Sequence, residues 1–161
     1  MTVEEYNSAV DLHSDSLYRF ILKNLQDEAG AQDIVQESFE KLWIRLEEVE
    51  GSKAKSYLFT TAYHAMIDQI RKSRRMTRME KQHYSSMMHD EQYSDLKEVL
   101  SHALTLLPDD QRSVLMLRDY EGYSYQEIGE ITGLNESQVK VYIYRARTFL
   151  KNFIVDPERV L

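Results

Sequence analysis

The sequence contains no cysteine, and only two prolines and five glycines among its 161 residues. Without cysteine the chain forms neither disulfides nor thiolate metal sites, so a reducing compartment, the cytoplasm, is the expected location. So few helix-breaking residues, with no β-type alternation, favour an all-α fold. No apolar run approaches the roughly 20 residues of a membrane span, and the first residues lack the basic start and apolar core of a signal peptide.

The net charge of −7 is unevenly distributed along the chain. Residues 1–50 carry −8 and residues 82–110 carry −5, whereas residues 51–81 carry +6 and residues 136–161 carry +2. Local patches, more than the total charge, decide whether a polyanion can dock. The two basic segments therefore indicate nucleic-acid contacts, and a solvated helix face is the alternative interpretation of each.

Apolar periodicity predicts three helices in the first part of the chain. One ends near the stretch LQDEAG, the second runs from Ala31 to Leu46, and the third runs from about Ser56 to Arg75. The second is the clearest, because its small or apolar residues form one stripe over four turns: Ala31, Ile34, Val35, Ser38, Phe39, Leu42, Trp43 and Leu46. The inward positions predicted for the third helix are Leu58, Ala62, Ala65 and Ile70.

The periodicity is lost in residues 76–94, which are polar, methionine-rich and mixed in charge. This composition predicts a flexible linker between a domain over residues 1–75 and a second domain over residues 95–161. An ordinary surface helix is the alternative.

The second domain has the pattern of a helix-turn-helix. One helix reaches Leu107, a second opens at Pro108 and ends at Gly122, and a third is short, with a capping box from Ser124 to Glu127. Gly133 then suits a left-handed turn, and Asn135 caps the last helix. The predicted buried stripe of that helix is Val139, Ile143, Ala146 and Leu150. The alternative is a structural αα-hairpin, which has the same pattern.

The last helix leaves a polar face outward, formed by Glu136, Ser137, Gln138, Lys140, Val141, Tyr144 and Arg145. Amides and cations match base edges or phosphates in the major groove, and apolar groups match the thymine methyl. One face of the third helix combines aromatic, imidazole and cationic side chains: Tyr57, Thr61, His64, Asp68, Arg71, Lys72 and Arg75. That combination suits single-stranded nucleic acid. The alternative is a core tyrosine followed by a solvated basic helix end.

Three stretches resemble the extracytoplasmic-function sigma factors of the sigma-70 family: AGAQDIVQESFEKLW, KAKSYLFTTAYHAMIDQIRKSRR and LTLLPDDQRSVLMLRDYEGYSYQEIGEITGLNESQVKVYIYRARTFL. The resemblance covers nearly the whole chain, in the family's order. It implies a region-2 bundle over residues 1–75, a linker over residues 76–94 and a region-4 helix-turn-helix over residues 95–161. It also implies a transcription initiation factor that binds core RNA polymerase and promoter DNA, with an anti-sigma factor as a further partner.

The resemblance implies three binding surfaces and no cofactor, metal or catalytic residue. The surface for core polymerase would be Asp33, Gln36, Glu37, Glu40 and Lys41. The third-helix face from Tyr57 to Arg75 would read and melt the minus-10 element, and Arg118 with the outward face of the last helix would read the minus-35 element. The family often has Asn at the position of His64 and Ser-Arg at Val141-Tyr142, so the promoter sequence does not carry over.

Three other functions are open on the sequence alone. A stand-alone helix-turn-helix regulator would bind duplex DNA without polymerase, and it leaves the Asp33–Lys41 face unexplained. A helical adaptor would have little use for Arg71–Arg75. An enzyme is disfavoured because the histidines form no HExxH motif or other metal-spaced set: His13, His64, His83, His89 and His102. His64 and Asp68, four residues apart, could form only an acid/base pair or half a metal site.

Overall fold

The computed structural model describes residues 1–79 and 96–155. Within these ranges the chain forms seven α-helices and a short 3-10 helix at Gly51–Lys53. The α-helices are α1 (Val3–Leu25), α2 (Glu28–Ile44), α3 (Ala54–Met79), α4 (Leu96–Leu106), α5 (Asp109–Asp119), α6 (Tyr125–Thr132) and α7 (Glu136–Val155). The predicted all-α class is confirmed. None of the described helices is long and apolar enough to cross a bilayer.

The first bundle consists of α1, α2 and α3, which pack against one another. Thr2 and Glu5 form a capping box that starts α1. Large apolar side chains from all three helices are fully buried between them: Leu17, Phe20, Ile21, Leu42, Leu58 and Phe59. Each such side chain contributes about 1.5–3 kcal/mol through burial. α2 begins three residues before the predicted start and ends two before the predicted end. α3 extends beyond the predicted Arg75, into the first residues of the predicted linker.

The inward positions of α3 differ from the predicted ones. Leu58 and Ala62 are buried as expected, but Ala65 and Ile70 are only half-buried. Phe59, Tyr63 and Met66 are buried as well. The reason is that α3 packs on two sides: the Phe59 ring lies 5.5 Å from Phe20 of α1 and 5.7 Å from Tyr123, which precedes α6. The rest of the predicted linker, residues 80–94, lies outside the described residues.

Trp43 is a second correction. It was assigned to the apolar stripe of α2, but it is 49% exposed, and its ring meets Tyr6 edge-on at 5.0 Å. Trp43 follows the fully buried Leu42, so it lies at the margin of the stripe. That margin faces outward, past the edge of α1.

The second bundle consists of α4 to α7, and local signals set its helix ends. Pro108 is the N-cap of α5. This helix ends at Asp119, three residues before the predicted end at Gly122, which has φ +76°. The capping box from Ser124 to Glu127 is present. Gly133, at φ +80°, ends α6 in the left-handed region.

The turn between α6 and α7 needs a small residue at Gly129. A Cβ at this position would lie 2.8 Å from the carbonyl oxygen of Leu134, so a side chain would push the turn away from α6. On α7 the predicted stripe is buried at Val139, Ile143 and Ala146, whereas Leu150 is only half-buried. Other fully buried side chains of this bundle are Leu115, Leu117, Ile128 and Phe153.

The two bundles share one continuous hydrophobic core. A polar junction lies within it at Asn24, which is 5% exposed. Ser113 donates to the Asn24 Oδ1 atom at 3.1 Å, and Asn24 donates to the Met116 sulfur at 3.5 Å. The buried Arg112 spans α4 and α5 by donating to the carbonyls of Leu104 at 2.7 Å and Leu107 at 2.6 Å. These paired buried polar groups fix how α1 meets α5, because each would cost free energy if left unpaired.

Charged contacts also join the bundles. Arg74, near the end of α3, forms an ion pair with Asp109 at the start of α5. Lys55, at the start of α3, donates to the Glu121 carbonyl at 3.1 Å, and its ammonium lies 4.8 Å from the centre of the Tyr123 ring. The second bundle therefore contacts both ends of α3.

Candidate nucleic-acid and polymerase-binding surfaces

The outward face of α7 is open to solvent in the packed structure. The seven residues predicted for DNA contact on this helix are all exposed: Glu136, Ser137, Gln138, Lys140, Val141, Tyr144 and Arg145. Tyr144 is 72% exposed, and Val141 is 43% exposed. The opposite side of the helix is buried against α5 and α6, so the exposed face projects from a fixed support.

The amino end of α7 uses part of this face for capping. Gln138 donates its backbone amide to the Asn135 Oδ1 atom at 2.8 Å, and the Asn135 amide donates to the Gln138 Oε1 atom at 3.1 Å. Because the oxygen of the Gln138 side chain is engaged, its amide nitrogen is left to face a base as a donor. Lys140 forms an ion pair with Glu136 at 3.5 Å.

Arg118 lies beside this face, as predicted, and is half-buried. Its guanidinium donates to the Tyr123 carbonyl at 2.9 Å and stacks on the Tyr125 ring, 4.5 Å from the ring centre. Arg147 donates to both carboxylate oxygens of Asp119. The helix-turn-helix thus holds a group of cations at its rim. Tyr125 was not predicted as a site residue, because its position inside a capping box suggested only a local structural role.

The predicted face of α3 forms one side of a groove. His64, Asp68, Arg71, Lys72 and Arg75 are exposed, and Tyr57 and Thr61 are half-buried. An open groove of about 520 Å³ runs between α2 and α3, and its lining includes Glu37, Lys41, Ile44, Tyr57, Thr61, His64 and Asp68. His64 meets the buried Tyr63 ring edge-on at 5.7 Å. The groove brings the predicted polymerase-contacting and DNA-contacting residues to one edge of the first bundle.

The basic end of α3 faces the acidic start of α5. Burial, with the nearby Asp110 and Asp109 carboxylates, raises the pKa of Tyr63 to about 12, although Arg71 opposes this shift. Arg74 is tied to Asp109, whereas Arg71, Lys72 and Arg75 are exposed around it. In this packed arrangement, Asp109 of the second bundle pairs with one of the cations at the basic end of α3.

The polar face of α2 is exposed at every predicted position: Asp33, Gln36, Glu37, Glu40 and Lys41. Lys41 pairs with Glu37 at 3.0 Å, and Gln36 donates to Glu40 at 3.2 Å. Two apolar side chains next to this face were missed, Trp43 at 49% and Ile44 at 80% exposure. The end of the helical stripe could have revealed them, because large apolar residues past the last buried position are covered only in part, as Trp43 is by Tyr6.

Two family models match the chain in the order of its bundles. Sigma-70 region 2 matches residues 9–76, and Sigma-70, region 4 matches residues 97–150. The segments that match therefore correspond to α1–α3 and to α4–α7.

Characterised relatives and a solved structure agree with these matches. The ECF RNA polymerase sigma factor SigM of Bacillus subtilis (strain 168) is 30% identical over 156 residues, covering 94% of each chain. The RNA polymerase sigma factor SigV of the same strain is 30% identical over 142 residues, covering 86% of this chain and 84% of SigV. The sigma factor RpoE of Bartonella quintana, solved with the anti-sigma factor NepR, superposes with a TM-score of 0.78 at 27% identity, covering 96% of this chain and 99% of RpoE. The chain therefore belongs to the extracytoplasmic-function sigma factors of the sigma-70 family, the initiation factors that bind core RNA polymerase and direct it to promoters.

Proposed function

We propose that this sigma factor uses three surfaces, one on each of α2, α3 and α7. The observation that carries the proposal is that an acidic, apolar-edged face on α2 and two basic faces on α3 and α7 are all exposed within one chain. The proposed units are a region-2 domain over residues 1–75, a linker over residues 76–94 and a region-4 domain over residues 95–161.

The α7 face is assigned to the minus-35 element. A helix that is supported on one side and polar on the other fits the major groove. Arg145 and the Gln138 amide are placed to reach base edges, while Arg118 and Lys140 lie at the rim, where phosphates pass. Val141 and Tyr144 supply apolar area for a thymine methyl or the sugar backbone.

The α3 face is assigned to the minus-10 element after the strands separate. Tyr57 and His64 present flat faces for unstacked bases, and Arg71, Lys72 and Arg75 lie further along the same face for phosphates. Unstacking a base costs a few kcal/mol, which the captured base must recover through stacking and hydrogen bonds. His64 can donate as well as stack.

The α2 face is assigned to core polymerase. Its exposed charges supply complementarity, and the adjoining Trp43 and Ile44 supply the apolar centre that protein interfaces need. The same face lines the groove that contains His64. Docking of polymerase on α2 would therefore place it next to the DNA strand on α3.

The packed arrangement is proposed to be the free protein, which opens on polymerase. A compact chain of this length has a radius of gyration of about 15 Å and hence a diameter of about 40 Å. The minus-35 and minus-10 elements lie about 25 base pairs apart, or about 85 Å at 3.4 Å per pair. One packed unit cannot reach both. Once polymerase holds the two bundles apart, each bundle can bind its own element. The two weak DNA contacts then reinforce each other, because the second binding event takes place at a high effective concentration.

Further parts of the proposal concern partners and location. An anti-sigma factor would hold the protein inactive, and the RpoE structure that it resembles is itself bound to one. The factor would act in the cytoplasm, where polymerase and promoters are found. It would carry out no chemistry of its own, because polymerase supplies the catalysis.

The test is capture of purified bacterial core RNA polymerase, followed by run-off transcription from a pool of genomic fragments. The wild-type protein should bind core and give discrete start sites. Glu37→Lys should abolish core binding, because it places a cation in the α2 face. Asp11→Lys, the same charge reversal at an exposed acid of α1, is the matched control and should bind normally.

Two outcomes would contradict parts of this proposal. Normal core binding by Glu37→Lys would contradict the assignment of the α2 face to core polymerase. DNA binding by the wild-type protein without any core binding would favour the stand-alone regulator, which neither the family matches nor the exposed α2 face supports.

A further inference from the structure

Three cations converge on one tyrosine at the rim of the helix-turn-helix. The Arg118 guanidinium of α5 lies 4.5 Å from the centre of the Tyr125 ring, and the Lys140 ammonium of α7 lies 5.6 Å from it. Both distances are within the range in which a cation is attracted to an aromatic face. The third cation is Arg147 of α7, whose pKa is raised mainly by its hydrogen bonds to Asp119, against the effect of burial, and to a smaller extent by Tyr125.

Tyr125 is held rigidly enough to organise these cations. It is the first residue of α6, where a capping box fixes the backbone. In this box the Glu127 amide donates to the Ser124 hydroxyl at 3.1 Å, and the Ser124 amide donates to the Glu127 carboxylate at 2.9 Å. Arg118 has a second tether, because it donates to the Tyr123 carbonyl at 2.9 Å. The ring is thus a fixed point between side chains that come from two other helices.

The charges around Tyr125 do not cancel. Asp119 pairs with Arg147, and Glu136 pairs with Lys140 at 3.5 Å. Arg118 is held by a ring face and a carbonyl, both neutral, so its full charge remains available to an anion. Without the ring, Arg118 and Lys140 would each lose a contact that restricts their rotamers, while their mutual repulsion would remain.

We propose that Tyr125 is a positioning residue for the upstream promoter duplex: its ring holds Arg118 and Lys140 where DNA phosphates pass the rim of α7. The inference rests on the proposed minus-35 role of α7. It assigns the ring face, and not the hydroxyl, as the functional part. Cations held in place before binding lose less conformational freedom when they meet phosphate, which strengthens binding.

The test uses the full chain assembled with core polymerase on a promoter fragment obtained by run-off selection. Binding is measured from low to physiological salt for the wild type, Tyr125→Leu and Tyr125→Phe. Tyr125→Leu should bind about tenfold more weakly, and the slope of log Kobs against log salt should flatten by about 1 to 2, because each lost phosphate contact removes about 0.9. Tyr125→Phe keeps the ring face and should stay within about twofold of the wild type in affinity and slope.

Tyr120→Leu is the matched control. Tyr120 also lies under a cation, with the Lys23 ammonium 4.8 Å from its ring centre, but at the junction of α1 and α5. This variant should keep the wild-type salt slope. Equal melting temperatures for Tyr125→Leu and Tyr125→Phe would show that a difference in DNA binding between them comes from the positions of the cations and not from a loss of folded protein.

The outcomes are distinguishable. An unchanged slope for Tyr125→Leu would overturn the inference while leaving the sigma assignment intact. Equal losses in Tyr125→Phe and Tyr125→Leu would also overturn it, because the hydroxyl would then be the functional group. A wild-type protein that formed no complex with core would overturn the proposed function itself, and with it this inference.

Discussion

The two helices proposed to face DNA, α3 and α7, differ in how their exposed faces are supported. α7 buries one side in its own bundle and leaves the other open, and two of its cations, Lys140 and Arg147, pair with carboxylates of that bundle. α3 is packed on two sides, and Arg74 at its basic end is bound to Asp109 of the second bundle. The face of α7 proposed for the minus-35 element is therefore open in the packed protein, whereas Arg74, a cation next to the face of α3 proposed for the minus-10 element, is engaged by the second bundle.

This difference matches the order of events in initiation. Duplex is present before melting, so its reader can be preformed. Single-stranded DNA appears only after polymerase has bound and the strands have separated. A protein that binds single-stranded DNA benefits when some cations near the binding face are paired until then, because exposed stacking and cationic groups also bind unrelated nucleic acid.

The largest predicted effect comes from locking the two bundles together. Asn24→Cys with Ser113→Cys places two thiols where the wild-type side chains touch, at 3.1 Å between Oδ1 and Oγ. Because the chain has no other cysteine, oxidation can form only this disulfide within one chain. Run-off transcription with core polymerase should fall about 100-fold or more in the oxidised form, since a packed unit cannot span both elements.

Reduction of the same sample is the control for that lock. Transcription should return to the level of the reduced double variant, which separates the disulfide from the cost of the two substitutions. Full activity of the oxidised protein would show that the bundles need not separate.

A smaller effect is expected from Arg145→Ala on the α7 face. Losing one cation at the major groove should cost about 1–3 kcal/mol in binding to the upstream element, and the salt slope should flatten by about 1. Lys151→Ala, which removes an exposed cation from the same helix outside the predicted face, is the control. Equal losses in the two variants would argue that α7 contributes only general charge.

Arg74→Ala tests the covered end of α3. Because the Arg74 side of the pair is exposed and Asp109 keeps its ion pair with Arg112 at 3.0 Å, the free energy of unfolding should fall by about 1 kcal/mol or less. In complex with core, binding to a single-stranded minus-10 oligonucleotide should weaken a few-fold, and the salt slope should flatten by about 0.7. Unchanged single-strand binding would mean that Arg74 serves only the contact between the bundles.

A further effect, confined to alkaline pH, concerns stability where the basic end of α3 faces the start of α5. The pKa of Tyr63 is raised to about 12 in the folded protein from the ordinary tyrosine value of 10.0, mainly by burial. A raised pKa contributes stability below pH 10 that is lost as the pH rises towards 12. Urea unfolding of Tyr63→Phe should therefore show a shallower loss of stability across that interval than the wild type. Tyr144→Phe makes the same change at an exposed position and serves as the control.

Sequence patterns predicted most of the second bundle because its signals are local. The capping box at Ser124, the left-handed Gly133 and the Asn135 cap each involve atoms within three residues, and each is present in the structure. The exposed face of α7 followed directly from its buried stripe. The family resemblance, carried by motifs in both bundles, is also confirmed.

The errors arose where distant contacts decide burial. Periodicity identifies one buried face, so it could not show that Phe59 and Tyr63 face a second bundle as well. Periodicity placed Trp43 in the apolar stripe of α2, yet the contact with Tyr6 of α1 covers only part of its ring. Tyr125 could not be recognised as the centre of a cation cluster, since Arg118, Lys140 and Arg147 come from other helices.

The central claim is that the bundles pack together in the free protein and separate on polymerase. The most direct test is energy transfer between fluorophores on cysteines placed at two exposed positions, Leu12 of α1 and Lys151 of α7. The free protein should show strong transfer, consistent with a packed unit about 40 Å across. Addition of core polymerase should lengthen the distance by tens of ångströms and abolish most of the transfer. Efficient transfer that persists in the polymerase complex would contradict the account.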